Sequence, residues 1–150
     1  MIKNILHTGV TVKNLDRSVE FYRDVVGLDY KGELFMEGEA CERLFARKGC
    51  KARVAYLNGS DIIGAPPIEL IQFIDNESKE EKADIFKPSI SEICFMSTDI
   101  RADYERMKAA GVEFLSEPQE FDFTEYGFGK SIAVYFRDPD GIIMELTQEI

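Results

Sequence analysis

An α+β fold made of two similar modules is what this sequence predicts, and three observations carry it. Apolar, strand-like runs and two helical patterns appear in the same order twice along the chain. A shift of 85 residues lays the apolar face of one helix onto that of the other. Both halves also close on a run of the same texture, Ile68-Glu69-Leu70 in the first and Met144-Glu145-Leu146 in the second.

The first run, residues 5–12 (ILHTGVTV), is rich in apolar and β-branched side chains, which suit the pleated surface of a strand. A helix is expected over about 16–26, with Leu15, Val19, Tyr22 and Val26 on one face, Asn14 or Asp16 as the cap and Gly27 as the stop. Runs at 52–57 (ARVAYL) and 68–74 (IELIQFI) complete the first half. The stretch DNESKEEKAD, residues 75–84, is too charged for a core and reads as a solvated linker. Module 1 therefore covers about 1–76, the linker about 77–87 and module 2 about 88–150. Neither short module buries both faces of a sheet alone, so a single packed domain is expected.

The second half repeats the plan. A strand at 90–97 (ISEICFMS) leads to a helix over about 100–110, whose Ile100, Tyr104 and Met107 share a face between the cap Asp99 and the stop Gly111. Strands at 131–137 and 142–147 follow, separated by DPDG at 138–141, where Pro139 and Gly141 suit a tight reversal. No periodic run is assigned within 31–51 or 117–130.

The same shift that superposes Val10 on Phe95, Leu15 on Ile100, Val19 on Tyr104 and Tyr22 on Met107 places His7, the one histidine of the chain, on Glu92. Side chains alternate along a strand, so His7 shares a face with Ile5 and Gly9, and Glu92 shares one with Cys94 and Met96. The helices are expected on the opposite faces. His7 and Glu92, with Glu69 and Glu145, thus occupy two pairs of equivalent positions. A buried unpaired carboxylate costs several kcal/mol, and three aimed at one cavity repel unless a cation or shared protons compensate.

Composition bounds the function. The 150 residues are 45% hydrophobic and 11% aromatic, as in a globular protein, and suffice for one core. Asp plus Glu number 28 against 18 Lys plus Arg, and this negative field disfavours nucleic acid and anionic membranes as partners. The N-terminal MIKNILHTGV carries no extended apolar segment or small-residue cleavage site, so a cytoplasmic location is expected. Cys41, Cys50 and Cys94 lack CxxC spacing, which fits reduced thiols better than disulfides or a zinc knuckle.

The stretch HTGVTVKNLDRSVEFYRDVVGL, the ending FRDPDGIIMEL and the duplicated module resemble the glyoxalase/bleomycin resistance/dioxygenase, or vicinal oxygen chelate, superfamily, with glyoxalase I and methylmalonyl-CoA epimerase as the members most similar in kind. The resemblance implies two βαβββ modules forming a cupped mixed sheet, and a divalent metal held by first-strand and last-strand residues: His7, Glu69, Glu92 and Glu145. Metal-binding relatives usually present histidine where this chain has Glu92. Three carboxylates and one imidazole suit hard ions such as Mn²⁺, Mg²⁺ or Ca²⁺ better than zinc, with iron(II), nickel and cobalt also compatible.

The implied chemistry is that of a lyase or isomerase in which the metal grips a small carbonyl or thioester substrate and Glu145 or Glu69 moves the proton. Two alternatives stay open: a metal-free module that binds a small molecule or antibiotic, and a ring-cleaving dioxygenase. The latter uses two histidines and one carboxylate on iron, a set that one histidine per chain cannot complete. The resemblance also implies a homodimer, in some relatives with modules exchanged between chains.

Other features fit architecture. GFGKS at 127–131 resembles a phosphate loop, but the motif needs glycine where Thr124 stands, and a turn into a strand is the better reading. Phe121, Phe123, Tyr126 and Phe128 either wall a pocket or fill the core. Cys94 would line the cup, where a small thiol ordinarily serves packing.

Overall fold

Hydrogen bonds carry the repeat. In the computed structural model, which describes residues 6–59, 67–74, 82–84, 86 and 90–150, Asn14 Oδ1 accepts the Arg17 amide at 3.0 Å and Asp99 Oδ1 accepts the Ala102 amide at 3.1 Å. The first amide of each helix is held by a glutamine from the last strand of its own half: Leu15 N–H donates to Gln72 Oε1 at 3.1 Å and Ile100 N–H to Gln148 Oε1 at 2.9 Å. Two of the otherwise orphaned amides at each helix start are thereby satisfied, and the helix is tied to its sheet.

The chain divides into two units, Met1–Lys79 and Glu80–Ile150. The division falls inside the expected linker at about 77–87, much of which lies outside the described residues.

The first unit runs β1 (Thr8–Thr11), α1 (Leu15–Glu20) extended by a π-helical stretch (Phe21–Val26), β2 (Asp29–Met36), α2 (Glu39–Leu44), β3 (Ala52–Asn58) and β4 (Ile68–Phe73). Gly27 ends the first helix at φ 95°, a left-handed conformation that glycine adopts without steric cost. The sheet order is β1-β4-β3-β2, with β1 parallel to β4 and the other pairs antiparallel. α1 packs on β3 and β4. Its Leu15 and Tyr22 and the sheet residues Ala55, Leu57 and Leu70 are all fully buried. Burial of each large side chain contributes roughly 1.5–3 kcal/mol.

The second unit runs β5 (Ile93–Met96), α3 (Ile100–Ala109), β6 (Gln119–Phe123), a short 3₁₀ turn (Thr124–Tyr126), β7 (Gly129–Arg137) and β8 (Ile143–Glu149). Its sheet order, β5-β8-β7-β6 with β5 parallel to β8, is that of the first unit. Ile100 and Met107 from α3, with Val134, Phe136, Met144 and Leu146 from the sheet, make the core. The reversal between β7 and β8 is the expected turn: the Asp138 carboxylate accepts the Asp140 and Ile142 amides at 2.9 and 2.8 Å, and Gly141 sits at φ 82°.

Each unit is therefore a βαβββ module, as the repeat predicts, with α2 inserted in the first. Two differences stand out. β1 and β5 begin later than expected, so His7 and Glu92 stand immediately ahead of their strands; Ile5, placed on the His7 face, lies outside the described residues. β2, α2 and β6 occupy the segments to which no periodic run was assigned. Among the described residues no helix is long and apolar enough to cross a membrane. Cys41, Cys50 and Cys94 are free thiols, as their spacing predicts.

Candidate functional site

Strand register decides which side chains meet. In the first unit Gly9 pairs with Glu69 and Glu69 with Tyr56, so these three lie on one sheet face. That face is opposite the one carrying Ala55, Leu57 and Leu70, onto which α1 packs. His7 Nε2 approaches Glu69 Oε2 at 3.3 Å, and the Tyr56 hydroxyl donates to Glu69 Oε1 at 2.5 Å. Both oxygens of a largely buried carboxylate are thus engaged. The hydrogen bond to Glu69, helped by burial, pushes the Tyr56 hydroxyl up to about 12.

The second unit repeats this register, with Cys94 opposite Glu145 and Glu145 opposite Tyr135. A short chain of donors ends on the carboxylate: Cys94 Sγ donates to Thr147 Oγ1 at 3.4 Å, and Thr147 Oγ1 donates to Glu145 Oε1 at 3.1 Å. Desolvation against the sheet pushes the Cys94 thiol up to about 11, with Glu145 and Glu92 adding negative charge nearby. Burial, followed by the charges of Glu145, Glu92 and Cys94, raises the Tyr135 hydroxyl as well. Glu92 and Glu145 therefore act on the same two neighbours.

Of the four residues predicted from the repeat, His7 and Glu69 meet, whereas Glu92 and Glu145 share Cys94 and Tyr135 as neighbours. Among the described residues no three His, Cys, Asp or Glu side chains converge as a complete metal set. The His7–Glu69 pair nonetheless fits a divalent ion. Two donors bonded to one ion at about 2.0–2.2 Å and near-tetrahedral or right angles stand roughly 3 Å apart, and His7 Nε2 and Glu69 Oε2 stand 3.3 Å apart.

Tyr56, Thr147 and Tyr135 were not singled out in the sequence. Thr147 was legible, being two residues beyond Glu145 and so on its face, whereas Tyr56 and Tyr135 join the carboxylates only through strand pairing. The aromatics of FDFTEYGF are not core: Phe121 and Phe123 are 42% and 44% exposed, and Tyr126 and Phe128 more so. GFGKS forms the turn into β7, where Lys130 pairs with Asp122 at 3.0 Å across the hairpin.

Residues 4–146 match the family model of the Glyoxalase/Bleomycin resistance protein/Dioxygenase superfamily. The chain belongs to that superfamily. A probable lactoylglutathione lyase from Vibrio cholerae is 30% identical over 144 residues, covering 96% of this chain and 89% of that protein. The crystal structure of a glyoxalase family protein from Bacillus cereus superposes with a TM-score of 0.86 at 21% identity, covering 100% of this chain and 96% of that one. The fosfomycin resistance protein FosX from Listeria monocytogenes, solved with Mn(II) and sulfate, matches at a TM-score of 0.59 and 19% identity, covering 100% and 95%. Divalent ions and small-molecule chemistry therefore occur within the superfamily on this fold.

Proposed function

We propose that the chain is a cytoplasmic, divalent-metal-dependent lyase or isomerase that enolises a small carbonyl or thioester substrate, with His7, Glu69, Glu92 and Glu145 holding the ion. The observation that carries this reading is the His7–Glu69 pair at 3.3 Å, with Glu92 and Glu145 at the equivalent positions of the other unit. Because the two pairs lie in different units, a complete set needs both. A homodimer that supplies them, from one chain or two, is part of the proposal.

The ion would supply Lewis-acid polarisation of the substrate's oxygens. The proton is assigned to Glu145. Glu69 has each oxygen engaged, by His7 and by Tyr56, and serves better as an anchor. Glu145 is held by the Thr147 hydroxyl, a rotor that can turn away as the carboxylate takes a proton from carbon. Tyr135, with its hydroxyl raised, stays protonated at neutral pH beside it.

The test joins binding to exchange. Apo protein titrated with Mn²⁺ should lose at least about tenfold in affinity on Glu92→Leu, while Glu92→His should keep binding and shift preference towards nickel, cobalt or zinc. Identical dissociation constants for wild type and Glu92→Leu remove Glu92 from the set. Wild type should wash deuterium from solvent into the acidic C–H of a glutathione thiohemiacetal or a malonyl-type thioester, and no exchange with any such substrate overturns the enolising activity.

One observation favours a second reading, a metal-free module that sequesters a small molecule. Tyr56 and His7 together satisfy both Glu69 oxygens without any cation. A purified protein that carries no stoichiometric divalent ion and acquires none on titration would favour it.

A further inference from the structure

We propose that Phe121 and Phe123 on β6 form the specificity subsite of the second unit, taking a neutral planar ring of the substrate onto their stacked side chains while its reacting end lies near Glu145. The proposal rests on the reading that the ligand occupies the Glu145 face of this sheet. The two rings lie 5.6 Å apart at an interplanar angle of 10°, and both are more than two-fifths exposed. Register puts them on that face: Phe123 opposes Gly129, Phe121 opposes Ser131 and Gln119 opposes Ala133 on β7. Ser131, Ala133 and Tyr135 in turn oppose Glu149, Thr147 and Glu145 on β8.

The β7 residues between rings and carboxylate on this face are Gly129, Ser131 and Ala133, none longer than a hydroxymethyl group. A low floor therefore leads from the stack towards Glu145. Two strand spacings of about 4.8 Å and four residues at about 3.4 Å give a backbone separation of roughly 17 Å. An arm, not a compact triose, is needed to reach from one end to the other.

The hairpin is fixed without using the rings. On its opposite face Asp122 pairs with Lys130 at 3.0 Å and accepts both the amide and the hydroxyl of Thr124, at 3.0 and 2.5 Å. The exposed rings are therefore presented on a pinned backbone and free to take a further member on the outer face of the stack, at the usual centroid separations of about 4.5–7 Å. The formal net charge of −10 opposes an anionic ring system, and a neutral ring is the case taken here.

The experiment compares 10-phenyldecan-2-one with dodecan-2-one, two neutral methyl ketones that differ in a planar against an aliphatic end and whose extended chains are long enough to reach from the metal towards the rings. Binding to the metal-loaded protein is followed by NMR on chain labelled with ¹³C-phenylalanine. The phenyl ketone should bind roughly two- to tenfold tighter, the range expected for one aromatic pair, and should shift the Phe121 and Phe123 ring signals. The preference should vanish in Phe121→Ala/Phe123→Ala and also in Phe121→Leu/Phe123→Leu, which keeps apolar area and protects the fold. A preference retained by the leucine variant means general greasiness and overturns the planar subsite. So does equal affinity in wild type, or an alanine variant that keeps the preference and changes only its sedimentation. The readout is binding, so it stands apart from solvent exchange at the substrate carbon: loss of exchange with the ring preference intact would sink the enolising activity and leave the subsite.

Discussion

In the first unit Phe45, the residue after α2, packs edge-on against Phe73 with ring centroids 5.0 Å apart. Cys41 of the same helix is buried and donates to the Cys50 carbonyl at 3.4 Å. Phe73 lies on the Glu69 face by strand alternation, so the segment between β2 and β3 folds onto the far end of that face. In the second unit β6 and β7 are joined by one 3₁₀ turn, and the corresponding end shows Phe121 and Phe123. One topology, built twice, covers one end of a sheet face with its own chain in one copy and leaves the corresponding end open in the other. The carboxylates follow the same division: Glu69 is locked between two partners, whereas Glu145 is held by a hydroxyl rotor.

The largest effect expected from this contrast is catalytic. Glu145→Gln should lower turnover by roughly 10²–10⁴, the loss of a general base, and should abolish solvent exchange at the substrate carbon while metal titration still shows binding. Glu69→Gln should act chiefly on metal affinity. The opposite outcome, exchange kept in Glu145→Gln and lost in Glu69→Gln with metal bound, would reverse the two roles.

Packing should separate the units next. Phe45→Ala removes a half-buried ring from a T-shaped contact and should destabilise by about 1–2 kcal/mol in denaturant melts, whereas Phe121→Ala should stay within about 0.5 kcal/mol. Equal costs would mean that the β6 rings are packed as tightly as α2 is.

Thiol chemistry sharpens the comparison further. At pH 8 the Cys94 thiol, pushed up to about 11, carries about a hundredfold less thiolate than one at 9.0. Its greater intrinsic nucleophilicity recovers part of this, leaving iodoacetamide alkylation about tenfold slower than for a peptide thiol. Cys41 and Cys50 should react only on unfolding, since both are buried. Mass spectrometry of the alkylated peptides checks both statements, and fast labelling of Cys94 would remove the desolvated environment assigned to it.

The smallest effect lies at high pH. The Tyr56 hydroxyl is raised to about 12 in the folded chain from 10.0, so the folded state holds this proton more tightly than the unfolded state. Its stabilising contribution is complete below pH 10 and is lost as pH rises through about 12. Tyr56→Phe should flatten the fall in Tm between those values, and an unchanged alkaline slope would deny the Tyr56–Glu69 hydrogen bond.

Much of this was readable in one dimension, and particular residues explain why. Asn14 and Asp99 are caps acting within three residues of themselves, and Gly27 and Gly141 are stops and turns. β2 is hidden in the sequence because DYKGELFM is interrupted by a charged and glycine-containing pair where its register with β3 slips. The alternation of β6, QEFDF, was visible only as a row of aromatics, since a fully exposed edge strand has no buried face to announce it. The glutamine three residues after each catalytic-candidate glutamate was in plain view, yet its bond to a helix amide 57 or 48 residues away along the chain was not.

By itself, then, the sequence determined the duplicated strand–helix order, the caps, and the four equivalent positions His7, Glu69, Glu92 and Glu145, because periodicity and capping are forces of short range along the chain. Only the tertiary structure decided that Tyr56 and His7 clasp Glu69, that Thr147 and Cys94 lead to Glu145, and that Phe45 packs on the end of one sheet face while Phe121 and Phe123 stand open on the other. Those outcomes depend on which strands pair and in which register, and pairing is settled by residues far apart in sequence competing to bury the same apolar surface.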